Sequence, residues 1–338
     1  MNILLVRPDG IGDEILCLPV ATRLKQIVPQ ARIGFLSSRY AAPVLANHPD
    51  VDAVHVLTGR ERFGEVVSLF RGGWEAAVFL KPYRMLLAAA FVARVPRRVA
   101  TGYRWYSLLA NRRVYEHRHD FSKHEAEYNL GLLRGLGLDP GPVRAPHLVL
   151  TEAEKDEGRR RVDGLPRPRV VIHPGGLTPR HWKMSHYEEL VGELLRKGYG
   201  VILTGNENER ESFGRGMAWS QSHPAVLNVL GQLDLRQLMS LIAACQVLVS
   251  ASTGPAHIAA ALGVSTVTLF DPRRNMSPIR WHPLGENAVL RPDVPTCERC
   301  IYEACPYWDC LDRITVADVV ARVREIHEFP SVPTGSYA

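Results

Sequence analysis

Short, uninterrupted apolar runs alternate along this chain with stretches of helical periodicity. Residues 3–6 (Ile3, Leu4, Leu5, Val6) are apolar without a break and lead into a Gly-containing turn at 8–13. From residue 14 to 27 the apolar positions Ile15, Leu18, Ala21, Leu24 and Ile27 recur at helical spacing, with Pro19 as a local interruption. Strands are predicted at 31–36, 51–57 and 76–80, and a short helix at 41–47. Strands separated by helices require crossovers, and hence a parallel sheet covered on both faces.

The stretch 138–169 is rich in Pro, Gly and charge, with a helix-forming middle at 151–162, and the domain boundary is placed near Pro166. The pattern then restarts: strands at 170–173, 200–204, 247–250 and 266–270, helices at 187–196 and 255–262, and a closing helix at 315–328 begun by Thr315. The expected organisation is an α/β fold of two Rossmann-like domains, 1–165 and 166–328, facing across a cleft. Residues 329–338 are expected to form a disordered tail. Ligands are expected where the carboxyl ends of the strands meet the cleft.

Composition narrows the class. With 46% hydrophobic and 22% charged residues over 338 positions, the chain is of ordinary globular type. No apolar run reaches the ~18 residues of a membrane span, and the opening Met1-Asn2-Ile3 is read as a strand rather than a secretory signal. A cytoplasmic protein is expected. The net charge of +6 is uneven: between Leu80 and His124 ten Lys and Arg face only Glu116 and Asp120. Such a face suits an anionic partner or is simply solvated. No nucleic-acid module accompanies it, so nucleic acid is not expected. Four of the six cysteines, Cys297, Cys300, Cys305 and Cys310, fall close together. That spacing suits a structural Zn or Fe site or a reduced thiol cluster.

Four blocks carry candidate chemistry, each following a predicted strand. Gly10-Ile11-Gly12-Asp13 offers a tight turn and a carboxylate, which serves either as a base or as a helix-capping group. His173-Pro174-Gly175-Gly176, with Arg180 and Lys183 downstream, offers backbone N–H groups and cations to a phosphate. Ser252-Thr253-Gly254-Pro255-Ala256-His257 combines hydroxyls with a helix start, a second anion site. Thr204 to Glu209 places a carboxylate where a ribose diol can be held.

Together, in this order and spacing, the blocks resemble the lipopolysaccharide heptosyltransferases of glycosyltransferase family 9, from Asn2 to Glu328. The resemblance implies a GT-B-like fold and inverting transfer of a heptose-like sugar from an ADP-activated donor to an acceptor hydroxyl. The implied acceptor is an anionic, phosphorylated glycolipid core, reached by a protein working at the inner face of the membrane. No cofactor is implied for catalysis. Asp13 matches the family's general base. Gly12, Gly175, Gly176, Arg180, Lys183, Glu209, Ser252, Thr253, Gly254 and His257 match donor positions. Arg97, Arg98 and Arg104 are assigned to the acceptor. Two positions depart from the family pattern: Arg180 stands where many members have Lys, and Ser252 where the pattern has Asp. The second leaves open ADP-heptose itself, another nucleotide sugar, or the same donor bound differently. Separate alternatives are another acceptor, such as a natural product or a protein, and a nucleotide-sugar epimerase on the same scaffold.

Overall fold

The computed structural model describes residues 1–175, 181–214 and 223–328. The chain divides into two compact units, Met1–Val149 and a second beginning at Leu150. In the first unit the elements are β1 (Asn2–Val6), α1 (Ile11–Ile15), α2 (Leu18–Ile27), β2 (Arg32–Ser38), β3 (Ala53–Leu57), α3 (Phe63–Phe70), β4 (Ala76–Phe79), α4 (Arg84–Val92), β5 (Arg97–Thr101), β6 (Arg112–Val114) and α5 (Glu125–Gly131). In the second they are α6 (Glu152–Arg161), β7 (Arg169–His173), α7 (Met184–Arg196), β8 (Gly200–Leu203), α8 (Glu207–Gly214), β9 (Val226–Asn228), α9 (Leu235–Ala243), β10 (Val247–Ala251), α10 (Gly254–Ala261), β11 (Ser265–Leu269), α11 (Pro278–Trp281), β12 (Asn287–Leu290) and α12 (Val316–Glu328).

Each unit is built on a parallel six-stranded sheet, in the order β3-β2-β1-β4-β5-β6 in the first and β12-β11-β10-β7-β8-β9 in the second. Both orders are those of a doubly wound nucleotide-binding fold, with the chain reversing direction across the sheet at β1/β4 and at β7/β10. The α/β class expected from the sequence is therefore borne out in both halves. The central strands are apolar on both faces because helices cover both: Ile3, Leu4, Leu5 and Val6 are fully buried, as are Val247, Leu248 and Val249. One core packs Val6, Leu36, Phe70, Trp74 and Phe79, the other Ile172, Trp182, Tyr187, Val249 and Val323. Burying each such side chain contributes about 1.5–3 kcal/mol.

Two differences from the sequence reading have clear causes. The helix expected over 14–27 is two helices. Leu16 closes the first and Cys17 begins the next, so Pro19 sits in a first turn, where its missing N–H is harmless. The unit boundary falls at Val149–Leu150, ahead of the Pro166 turn. Helix α6 has its own reason to join the second unit. Thr151 and Glu154 form a reciprocal capping box, and Glu154 accepts a two-pronged bond from Arg236 of α9, at 2.7 and 2.6 Å. The Arg236 hydrogen bonds hold the Glu154 carboxyl down at about 2. Gly158 lets the helices touch, since a Cβ there would stand 2.0 Å from the Ser240 carbonyl oxygen. The segment 329–338 lies outside the described residues.

Candidate functional site

Past the carboxyl end of β1 the chain runs through Arg7, Asp9 and Gly10 into the short helix α1, which carries Asp13. The Arg7 side chain is almost wholly buried, and its Nη2 donates to Asp13 Oδ1. Asp13 is partly open, with 27% of its side chain exposed. Its Oδ2 lies against Gly10, where a Cβ would come within 3.3 Å. Among the described residues no donor meets that oxygen, so it is the atom free to take a proton. Burial pushes the Asp13 carboxyl up, and Asp9 and Glu125 add to this, while Arg7 pulls it down. The net rise makes Asp13 a stronger base than a solvated aspartate, in a fixed orientation.

Behind this pair lies a buried network that the sequence did not reveal. Glu125, fully buried at the start of α5, accepts from Arg7 Nη1 at 3.1 Å and from Arg118 Nη1 at 2.5 Å. The neighbouring Glu14 accepts from Ser37 and the Ser38 N–H, yet burial pushes it up to about 8, so it is an uncharged acid at neutral pH. Gly12 lies inside α1, its carbonyl taking the Leu16 N–H.

The basic residues assigned to an acceptor do not share one location. Strand register aligns Arg97 with Ala76 and Ala76 with Ile3, at the amino end of the sheet. Asp13 follows the opposite end, beyond Val6, so Arg97 is set back by at least the ~10 Å that three strand residues span. Arg98 is occupied: its guanidinium donates to the carbonyls of Leu109 and Val95, lies over the Phe91 ring, and is lowered in pKa by burial. Arg104 follows β5 at the carboxyl end, exposed, beside the exposed Tyr103, Trp105 and Leu108. Of the three, only Arg104 shares the Asp13 end of this sheet.

In the second unit, Gly175 follows β7 and is overlain by Glu209. A Cβ at Gly175 would stand 1.6 Å from Glu209 Oε1, so only glycine admits the carboxylate. Glu209 is held by the Asn206 N–H at 2.7 Å, and its Oε2 lies 3.7 Å from His173 Nε2. His173 itself is buried against Thr204 Oγ1 at 3.1 Å, and burial lowers its pKa. A pocket opens at the carboxyl ends of β7, β10 and β11, lined by Pro174, Tyr187, Ala251, Ser252 and Asp271 among others. Ser252, Thr253 and Gly254 join β10 to α10. Thr253 turns its hydroxyl back to the Ala251 carbonyl and gives α10 no side-chain cap. His257 is buried in the first turn of α10.

Asp271, buried in that pocket and paired with Arg273 at 2.6 Å, was not anticipated. Its only sequence signal was a carboxylate directly after the strand predicted at 266–270. Lys183 is drawn elsewhere, paired with Asp312 at 2.9 Å. Trp182 is core, donating to the Ile314 carbonyl. Gly176 and Arg180 lie outside the described residues.

Cys297, Cys300, Cys305 and Cys310 line one further cavity together with Arg273, Tyr302 and Trp308. A zinc tetrahedron would need its sulfurs about 3.8 Å apart. Among the described residues no three of the four come within 4.8 Å of one another; the group that does is His48, Asp50 and His147. The cysteines are spread because Cys297 is held in the backbone pairing of Arg273 and Pro272, while Cys310 sits in the core under α12. The expected metal set is thus gathered into one cavity but not closed around a point. Among the described residues, no helix is long and apolar enough to cross a membrane.

Comparison with known proteins adds an independent line. The sequence model of glycosyltransferase family 9 (heptosyltransferase) matches residues 81–307. Lipopolysaccharide heptosyltransferase 2 of Salmonella typhimurium is 30% identical over 315 residues, covering 86% of this chain and 88% of the relative. The structure of the E. coli ADP-heptose lipopolysaccharide heptosyltransferase II superposes with a TM-score of 0.81 at 25% identity, over 97% of this chain and 99% of that one. A family 9 glycosyltransferase from Veillonella parvula shares the fold, with a TM-score of 0.82 at 18% identity over 98% and 97% of the two chains.

Proposed function

The chain belongs to glycosyltransferase family 9, the heptosyltransferases, and from that premise we propose that it moves a heptose from ADP-heptose to a hydroxyl of a lipopolysaccharide core, with inversion at the anomeric carbon. The observation that carries this reading is Asp13: one carboxylate oxygen is fixed by Arg7 and the other left open, at the point where the first sheet reverses direction. In the proposed step Asp13 Oδ2 takes the acceptor hydroxyl proton as that oxygen bonds to the anomeric carbon. The bond from that carbon to the diphosphate breaks, and its electron pair leaves with the nucleotide.

The donor is assigned to the second unit. The uncapped start of α10, with His257 in its first turn, suits the departing diphosphate. Glu209 over Gly175 suits a ribose diol. Lys183, committed to Asp312, is not counted among the phosphate ligands. The reaction is proposed to run without a catalytic metal, the charge being met by N–H groups and side chains. The cysteine cavity is read as structural, with zinc or iron held only if the thiols draw together. No step is routed through it.

Thermal unfolding with ADP-, GDP-, UDP- and dTDP-linked sugars tests the donor. A ligand at a hundred times its Kd adds about 2.7 kcal/mol, so ADP-heptose is expected to raise Tm by several degrees and the others much less. A larger rise with a UDP- or GDP-sugar would overturn the donor assignment.

The acceptor is assigned to the exposed basic and aromatic group around Arg104, which also suits a peripheral contact with the inner membrane face. Arg104→Glu is expected to raise the acceptor KM by about tenfold with the donor KM unchanged, whereas Arg97→Glu, at the other end of the sheet, changes neither by more than about twofold. Salt should imitate the Arg104 change, since exposed charges are screened over ~8 Å at physiological strength. Equal effects of the two reversals in steady-state kinetics would move the acceptor away from Arg104.

A further inference from the structure

We infer that Glu125 is a positioning residue for the transfer, acting through Arg7 to hold Asp13 in place without stripping it of basicity. The inference rests on the reading of Asp13 as the base and adds a group that touches no substrate. A fully buried carboxylate is expensive unless charged partners surround it, and those around Glu125 are specific. Arg7 and Arg118 both donate to Glu125 Oε1, and both guanidinium groups also donate to the Leu80 carbonyl at the end of β4, at 3.3 and 3.1 Å. Arg118 continues to Asn129 Oδ1, and Asn129 donates back to the Leu16 carbonyl and the Cys17 sulfur at the break between α1 and α2. The ends of β1 and β4, the start of α5 and the helix bearing Asp13 are thereby tied into one buried polar network. Arg7 has a single orientation, and Nη2 is the nitrogen left for Asp13.

The charge balance explains why an anion is needed behind the arginine. A guanidinium alone beside Asp13 would fix the carboxylate but also depress its affinity for protons, which is the wrong direction for a base. Glu125 shares the Arg7 charge. Burial, Asp9 and Glu125 together then outweigh Arg7, and Asp13 stays above the ordinary aspartate range. The other groups nearby are less suited to this part. Asp9 touches Arg7 Nε at 3.4 Å but is paired with the exposed Lys81. Cys17 and Tyr83 are uncharged at neutral pH and are pushed further up by burial, which also lifts Glu14 to about 8. Glu125 is the buried anion that Arg7 and Arg118 divide between them.

Two variants with opposite expected signs test this. In Glu125→Gln more of the Arg7 charge falls on Asp13. The acid limb of the kcat–pH profile should move down by about half a unit to one unit, and plateau kcat should fall by about three- to tenfold with donor KM unchanged. In Arg118→Gln, Glu125 binds Arg7 more exclusively, Arg7 draws less on Asp13, and the limb should move up. General loosening of the fold would not reverse the sign between the two. Should Glu125→Gln fail to fold, Arg118→Gln alone decides the matter, because its upward shift is not expected of a purely structural contact. Limbs that stay at the wild-type pH while Tm falls would make the network structural only. The acid limb must also disappear in Asp13→Asn. A limb that survives there overturns the reading of Asp13 itself, an outcome distinct from failure of Glu125.

Discussion

Asp13→Asn is expected to lower sugar transfer by ~10²–10⁴-fold, the range found when a positioned general base is removed, while donor affinity changes by less than about twofold. The amide keeps the size of the carboxylate and still offers its Oδ1 to Arg7, so the buried network of Arg7, Glu125 and Arg118 survives. What is lost is the ability of the second atom, against Gly10, to accept a proton. The donor contacts assigned to Glu209 and α10 belong to the other unit and are untouched. Single-turnover kinetics with saturating donor separates the two effects. Retention of more than about a tenth of wild-type turnover would reduce Asp13 to a charge partner of Arg7.

Gly158→Ala is expected to lower the unfolding midpoint of the second unit by about 2–12 °C. Alanine in a helix is normally favoured over glycine by ~1 kcal/mol, so an increase would be the ordinary expectation. Here the added methyl would stand 2.0 Å from the Ser240 carbonyl oxygen and 2.5 Å from its carbon. Those are backbone atoms in the middle of α9 and cannot swing aside. Helices α6 and α9 must separate, and overpacking of this kind costs about 1–3 kcal/mol beyond the propensity gain, or ~2–4 °C per kcal/mol for a unit of this size. Gly192→Ala in α7 is the internal control: nothing lies within 4 Å of its Cβ, and a small increase in midpoint is expected. Calorimetric scans of both variants distinguish the cases. A rise for Gly158→Ala matching that of Gly192→Ala would mean α6 is not seated on α9.

Legibility in the sequence followed burial. Strands covered on both faces, such as β1, β7 and β10, stand out as apolar runs, and their positions in the chain point to two doubly wound units. Strand β5 opens with Arg97 and Arg98, and the edge strands β6 and β9 have three residues each. No apolar run marks them: β6 and β9 lie at sheet edges, which ask for little burial, and the internal β5 buries only Val99 and Ala100. Asp234 and Gln237 form a capping box that announces α9 on local chemistry alone. The site divides similarly. Asp13, Gly175 and Glu209 could each be singled out as candidates because loops at the carboxyl ends of strands carry ligand sites in this topology, but the close approach of Glu209 to Gly175 could not be read from the sequence. Glu125 was not, since its partner Arg7 is 118 residues away and nothing local marks a buried carboxylate. Arg97 and Arg104 look alike in a count of charges, and only strand register sets them at opposite ends of the sheet.

The strand order has a consequence for the birth of the protein. In each unit the strand that comes first in the chain is a central one, and its second neighbour arrives late: β1 pairs with β4 at Ala76, and β7 with β10 at Val247. A ribosome adding ~5–20 residues per second therefore leaves one side of an apolar strand unpaired for about 4–15 seconds in each half. During that interval the exposed side of Ile3 to Val6 is an adhesive edge of the kind that templates aggregation. Synonymous codon changes that slow translation between β1 and β4 should thus lower soluble yield more than the same changes placed after β6, and a co-expressed chaperone that holds nascent strands should erase the difference.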